Sequence, residues 1–162
     1  MKIRPRFSFS GDFKIPGDKS ITHRAVLFNG IAAGEAVVTN ALLGADCLSS
    51  VACMRALGAQ IEVEGDKIHV RGAQGLRAAD CDCGNSGTTM RLLMGLVAGQ
   101  GVDARLTGDD SLSRRPMERV AAPLRLLGAD IETTEGHAPV AVRPARLCGC
   151  TVDTQVASAQ VK

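Results

Sequence analysis

Leu57-Gly58-Ala59-Gln60-Ile61-Glu62 returns 70 residues later as Leu127-Gly128-Ala129-Asp130-Ile131-Glu132. Each copy closes an amphipathic run with a glycine and opens an alternating one, which is how a helix ends and a strand begins. Upstream of this block, Gly44-Ala45-Asp46-Cys47-Leu48-Ser49 returns as Gly108-Asp109-Asp110-Ser111-Leu112-Ser113, at an offset of 64. The second copy therefore carries six extra residues between the two blocks. Further upstream, Gly30-Ile31-Ala32-Ala33-Gly34 matches Gly95-Leu96-Val97-Ala98-Gly99. Self-similarity at this period marks a supersecondary unit used more than once.

The fold class is α/β, and each unit reads as strand–helix–strand–helix–strand–strand. A polar turn, Asp18-Lys19-Ser20 or Asn85-Ser86-Gly87-Thr88, opens an apolar helix that ends near Gly34 or Gly99. A short strand follows, Val37-Val38-Thr39 or Ala104-Arg105-Leu106. In the second helix Cys47, Val51, Met54 and Leu57 recur at helical spacing before Gly58, and Met117, Val120, Leu124 and Leu127 do so before Gly128. Pro116 suits a first turn, and Pro123 is expected to kink the helix. A hairpin closes each unit. Ile61 and Val63, then Ile68 and Val70, alternate around Glu64-Gly65-Asp66, and the second hairpin turns near Glu135-Gly136-His137.

The units are then residues 16–80 and 81–147, and residues 148–162 begin a third. There Cys148-Gly149-Cys150-Thr151-Val152-Asp153 reads as a strand running into Val156-Ala157-Ser158-Ala159-Gln160-Val161-Lys162. A domain does not normally end on the first turn of a helix, so the sequence reads as the front part of a longer protein.

A chain of 162 residues, 45% hydrophobic and 22% charged, can bury a real core and is not a disordered one. No apolar run reaches the roughly 20 residues of a membrane helix. Met1-Lys2-Ile3-Arg4-Pro5-Arg6 lacks the apolar stretch of a secretion signal, so the expected compartment is the cytoplasm. With no Trp, no Tyr and only Phe7, Phe9, Phe13 and Phe28, binding of nucleic acid by base stacking is disfavoured. The net charge of +2 is small but uneven: residues 1–24 hold six Lys/Arg against two Asp/Glu. Cys47, Cys53, Cys81, Cys83, Cys148 and Cys150 are expected to be free thiols, because the Cys-x-Cys spacing is not that of structural zinc and nothing suggests secretion.

The polar turns carry the chemistry. Lys19, Ser20 and Arg24 open the first helix, with Ser20 and Arg24 on one face. Free N–H groups at a helix start attract an anion, and a hydroxyl, an ammonium and a guanidinium add ligands for phosphate or carboxylate. A capped surface helix with solvated charges would read the same from this motif alone. Gly84-Asn85-Ser86-Gly87-Thr88-Thr89-Met90-Arg91 holds the equivalent place in the second unit, and Arg91 falls 67 residues after Arg24. Repetition of the design at both helix starts favours a ligand. Arg114-Arg115-Pro116 has no basic counterpart at Ser49-Ser50, so the fold does not require its charge. Ser158 and Gln160 occupy the third such turn. His23 has no identifiable orienting carboxylate and reads as a packing or solvent residue, while His69 and His137 read as hairpin residues.

Together these segments resemble the 5-enolpyruvylshikimate-3-phosphate synthase (3-phosphoshikimate 1-carboxyvinyltransferase) family. The matching stretches are Pro16-Gly17-Asp18-Lys19-Ser20-Ile21-Thr22-His23-Arg24, Gly84-Asn85-Ser86-Gly87-Thr88-Thr89-Met90-Arg91-Leu92, Arg115-Pro116-Met117-Glu118-Arg119-Val120 and Ala157-Ser158-Ala159-Gln160-Val161-Lys162. The resemblance implies two domains of three βαβαββ units each, an inside-out α/β barrel with helices buried and sheets outside. This chain would hold about two units of one domain, and residues 1–15 would form a strand crossing to the other. Phe7, Phe9 and Phe13 would then lack their packing partners.

The resemblance also implies a reaction and a site. A carboxyvinyl group passes from phosphoenolpyruvate to the 5-hydroxyl of shikimate 3-phosphate, without metal or organic cofactor, on the route to aromatic amino acids. Lys19 would contact both substrates. Ser20, Arg24, Ser158 and Gln160 would hold shikimate 3-phosphate, with Gln160 near both ligands. Gly87 would back the phosphoenolpyruvate pocket through its backbone, and Arg115 would bind phosphoenolpyruvate. Asn85, Thr88 and Arg91 would support them from behind. Glyphosate competes for the phosphoenolpyruvate subsite in this family, and Gly87 would leave room for it. The family's acids and bases come mainly from the second domain, so no catalytic residue is assigned here and this chain alone is expected to be inactive. A monomer is the expected state of the full-length enzyme, with no nucleic-acid or membrane partner. The related UDP-N-acetylglucosamine enolpyruvyl transferases differ in the first motif and use a loop cysteine with no counterpart here. The alternative of another class is a non-catalytic phosphate-ligand-binding module, or an assembly half needing a partner chain.

Overall fold

In a computed structural model, which describes residues 10–153, the second copy of the repeat keeps the strand–helix–strand–helix–strand–strand order with its second helix in two pieces. It comprises β4 (Ala79–Asp82), α3 (Gly87–Gln100), β5 (Ala104–Thr107), α4 (Asp110–Ser113), α5 (Glu118–Leu126), β6 (Asp130–Thr134) and β7 (His137–Arg143). The first copy contributes α1 (Lys19–Ile31), β1 (Glu35–Val38), α2 (Ala45–Ala56), β2 (Gln60–Glu64) and β3 (Lys67–Arg71). Expectations about Phe7, Phe9, Ser158 and Gln160 lie outside the described residues.

The copies build matching sheets. In the first the strand order is β1-β3-β2, all antiparallel, and in the second β5-β7-β6 repeats that order with β4 added parallel to β5. Alternation puts Ile61, Ile68 and Val70 of one sheet, and Leu106, Ile131, Val140 and Val142 of the other, on buried faces. The helices lie between the sheets. α3 buries Gly87, Thr89, Met90, Arg91, Leu93, Met94, Val97 and Ala98, far more than a single stripe, because α2 and α5 pack beside it and β5 and β7 lie behind it. Both second helices stop alike: Gly58 (φ +115°) and Gly128 (φ +93°) take a backbone conformation that a side chain would strain.

Three local expectations change. The six extra residues of the second copy, 114–119, break what is one helix in α2 into α4 and α5. Pro116 therefore lies ahead of the helix, whose N-cap is Met117, rather than in its first turn, while Pro123 sits inside α5. Residues 144–153 form no strand, since a ladder needs a partner and none lies beside them among the described residues. Their recorded backbone anchor is the Cys148 N–H, which donates to Leu127 C=O at 2.8 Å.

All six cysteines are free; Cys47, Cys53, Cys81 and Cys83 are buried and Cys148 and Cys150 exposed. A hydrogen bond with Cys53, and then burial, push the Cys81 thiol up, away from reactivity. Among the described residues no helix is long and apolar enough to cross a membrane.

Candidate anion-binding site at the helix tips

The start of α1 is pinned to the loop after β1. The Asp18 carboxylate accepts from Ile21 N–H at 2.7 Å, and the Thr22 hydroxyl donates to Asp18 C=O while accepting from Leu42 N–H. Gly17 has no room for a side chain, since a Cβ would lie 2.1 Å from Asn40 O. At this tip Lys19 Nζ donates to Asp46 Oδ2 at 3.0 Å, and Asp46 belongs to the first turn of α2. Ser20 and Arg24 are exposed and have no recorded hydrogen bond or ion pair with a described residue.

At the start of α3 the Ser86 hydroxyl caps the helix by accepting from Thr89 N–H. Arg115 comes in from the segment between α4 and α5. Its Nη2 donates to Asn85 Oδ1 at 2.6 Å and to Ser111 Oγ at 3.4 Å. The Asn85 amide donates in turn to Asp109 Oδ2 at 2.8 Å, which sets which end of the amide faces the arginine. That bond, with the N–H of Leu112, holds the Asp109 carboxyl below its usual range. Arg115 is thus held by neutral groups, and no carboxylate lies within ion-pair distance of it among the described residues, although its charge acts on Asp109. Arg91, 6% exposed, reaches from inside α3 to Gly87 C=O and Pro116 C=O. Burial, then the charges of Arg119 and Arg115, lower its pKa. A Cβ on Gly87 would stand 2.8 Å from Arg91 Nη1 and 3.3 Å from Arg115 Nη1, so glycine leaves the space both guanidinium groups share.

The two tips are joined through α2. Thr89 Oγ1 lies 3.2 Å from Asp46 C=O, 2.8 Å from Ser86 Oγ and 2.8 Å from Ser50 Oγ. Ser50 Oγ lies 2.8 Å from Nδ1 of His23, which is wholly buried and has its pKa lowered mainly by that burial. Lys19, Asn85, Gly87, Arg91 and Arg115 are therefore gathered by direct contacts among the first turns of α1, α2 and α3 and the segment before α5. Thr88, half-buried, follows Gly87 in the same turn. The motifs alone did not point to the partners Asp46, Ser50, Thr89, Asp109 and Ser111. Asp46 and Asp109 did lie in the repeated Gly-x-Asp and Gly-Asp-Asp blocks, which was the available signal.

The chain is thus an α/β protein of repeated units that sets cations beside helix starts, an arrangement chemically suited to a small anion. The comparisons give the class a family. The family model described as EPSP synthase (3-phosphoshikimate 1-carboxyvinyltransferase) matches residues 3–162, and the chain belongs to that family. It is 53% identical over 167 residues to the 3-phosphoshikimate 1-carboxyvinyltransferase of Roseiflexus sp. (strain RS-1), covering 99% of this chain and 39% of that protein. With its counterpart from Herpetosiphon aurantiacus it is 51% identical, covering 94% and 37%. A solved EPSP synthase from Acinetobacter baumannii superposes with a TM-score of 0.89 at 45% identity, covering 94% of this chain and 36% of that one. The chain spans well under half the length of these relatives.

Proposed function

We propose that this chain supplies the anion-gathering part of an enzyme that transfers the carboxyvinyl group of phosphoenolpyruvate to the 5-hydroxyl of shikimate 3-phosphate. The products are 5-enolpyruvylshikimate 3-phosphate and phosphate. The observation that carries the reading is Arg115, unpaired by carboxylate, aimed by Asn85 at the glycine start of α3. In this reading Arg115 and the backbone at Gly87 take phosphoenolpyruvate, Ser20, Arg24, Ser158 and Gln160 take shikimate 3-phosphate, and Lys19 leaves Asp46 to bridge both.

The substrate hydroxyl adds to carbon 2 of phosphoenolpyruvate while carbon 3 gains a proton. The tetrahedral intermediate then loses phosphate and a proton. Two polyanions repel each other in water, so the first task is to hold them together, which the helix tips and Arg115 do from fixed positions and Lys19 does by exchanging Asp46 for the ligands. The proton-moving groups belong to the rest of the protein, so this chain alone does not turn over. A full-length cytoplasmic monomer, open to glyphosate beside Gly87, goes with the reading.

The experiment is calorimetry of the chain with shikimate 3-phosphate, followed by a phosphate-release assay with the remainder of the Roseiflexus relative added. Binding alone and turnover only with the added part is the expected result. No binding sinks the reading, sustained turnover by the chain alone sinks the division of labour, and binding without rescue points to a non-catalytic module.

A further inference from the structure

Four fully buried polar side chains, His23, Ser50, Thr89 and Ser86, lie in one hydrogen-bonded row across α1, α2 and the start of α3. A buried row of this kind has to account for each proton. Thr89 has one hydroxyl proton and three oxygen neighbours: Ser50 Oγ, Ser86 Oγ and Asp46 C=O. If it donates to Ser86 or to Asp46, then Ser50 donates into Thr89 and must accept from His23 Nδ1–H. Only if Thr89 donates to Ser50 can Ser50 donate to a bare Nδ1. That arrangement puts the histidine proton on Nε2, which is buried with no partner. An orphaned buried N–H is rarer and costlier than an unfilled acceptor.

We propose that His23, Ser50 and Thr89 are positioning residues for the anion site. A one-way chain from the Nδ1–H of His23 through Ser50 into Thr89 ties the second turns of α1 and α2 to the first turn of α3 and fixes the register of the three helices. The lock acts on the ligand groups through Asp46, whose carbonyl contacts Thr89 and whose carboxylate holds Lys19. It also acts through Thr89 and Ser86, which close the first turn of α3 at Gly87. The charged groups acting on His23 are Lys19 of its own helix and Asp46 of α2, and the row reaches α3 at the neutral Thr89 hydroxyl. Burial, with the Lys19 charge acting in the same direction, outweighs the opposing charge of Asp46 and lowers the ring's pKa, favouring its uncharged form. The inference rests on the ligand reading above only for what the lock is for.

Proton–nitrogen NMR correlation of the imidazole tests the proton's place in the 162-residue chain. His23 should show a protonated Nδ1 and a bare Nε2 at neutral pH. A proton on Nε2, or on both nitrogens, overturns the direction of the chain. Shikimate 3-phosphate titration tests the function. Thr89→Val keeps the shape and removes the hydroxyl, and should weaken binding about tenfold, while Thr89→Ser restores the bond and most of the affinity. Ser50→Ala is the second break in the row and should behave as Thr89→Val, with amide NMR dispersion confirming that both variants fold. Folded variants that bind as the wild type does overturn the positioning role. A wild-type chain that does not bind counts against the proposed function instead, and the imidazole spectrum still decides the hydrogen-bond chain.

Discussion

Gly87 and Asn85 show how much of this site depends on what single side chains leave open. A methyl group on Gly87 would press on the far ends of two arginines, which can swing aside, rather than on backbone. Gly87→Ala should therefore leave the denaturation midpoint nearly unchanged, since alanine also suits a helix better. It should displace Arg115 and lower phosphoenolpyruvate affinity about tenfold, measured with shikimate 3-phosphate present. An unchanged affinity would mean that Arg115 does not face the ligand. Asn85→Asp should do more harm by a different route. The new carboxylate would pair with Arg115, cancel its charge towards an anion and crowd Asp109, costing about tenfold to a hundredfold in the same titration. That Lys19, Gly87 and Arg115 stand at or just ahead of helix starts was legible in the sequence because each lies beside a proline or a helix cap. Asp46 and Asp109 were not, because they lie 27 and 24 residues from the side chains they serve and only the fold brings them together.

At the scale of elements the repeat preserves a strut as well as a topology. Arg55 Nε of α2 donates to Ile61 C=O of β2 at 2.8 Å, and Arg125 Nε of α5 donates to Ile131 C=O of β6 at 2.6 Å, the same bond 70 residues on. Each ties a second helix to the strand that follows it. The second copy adds Glu118, from the inserted segment, which accepts from Arg125 and from Thr133 Oγ1. The bonds from Arg125, and then the one from Thr133, hold the Glu118 carboxyl below its ordinary value near 4.5. A carboxyl whose folded pKa is depressed stabilises the fold fully above its unfolded pKa and loses that contribution as pH falls through the folded value. Glu118→Gln should therefore lower the denaturant midpoint at neutral pH, and its deficit should shrink as pH drops below about 4.5. A deficit that stays constant down to acid pH would show that the carboxylate charge is not what matters. Arg125→Met removes the bond to Ile131 C=O as well as the pairing with Glu118, and should cost about 1.5–3 kcal/mol at neutral pH, with only the Glu118 share fading as pH falls below about 4.5. The count of extra residues located the insertion. That it splits the helix could not be read, because Met117, Val120, Leu124 and Leu127 keep helical spacing whether or not the turn before them is helical.

For the molecule as a whole, helix and hairpin order was legible because glycine punctuation and alternation recur at one offset, while the open sides were not. The second sheet has β4 beside β5, whereas the corresponding edge of β1 carries no strand among the described residues, and residues 10–18 ahead of α1 form none. On α1, Ile21 and Phe28 are 65% and 62% exposed and lie two turns apart on one face, with Arg24 between them. Large apolar groups on an exposed helix face and a free strand edge both favour association. The 162-residue chain by itself should thus show a mass above 16.9 kDa that rises with concentration in sedimentation experiments. Phe28→Lys should shift it towards monomer without lowering the denaturation midpoint, because that side chain contributes little to the chain's own core. If Phe28→Lys leaves the concentration dependence intact, the β1 edge rather than the α1 face drives association. A chain that stays monomeric throughout would mean that neither surface is sticky enough to matter.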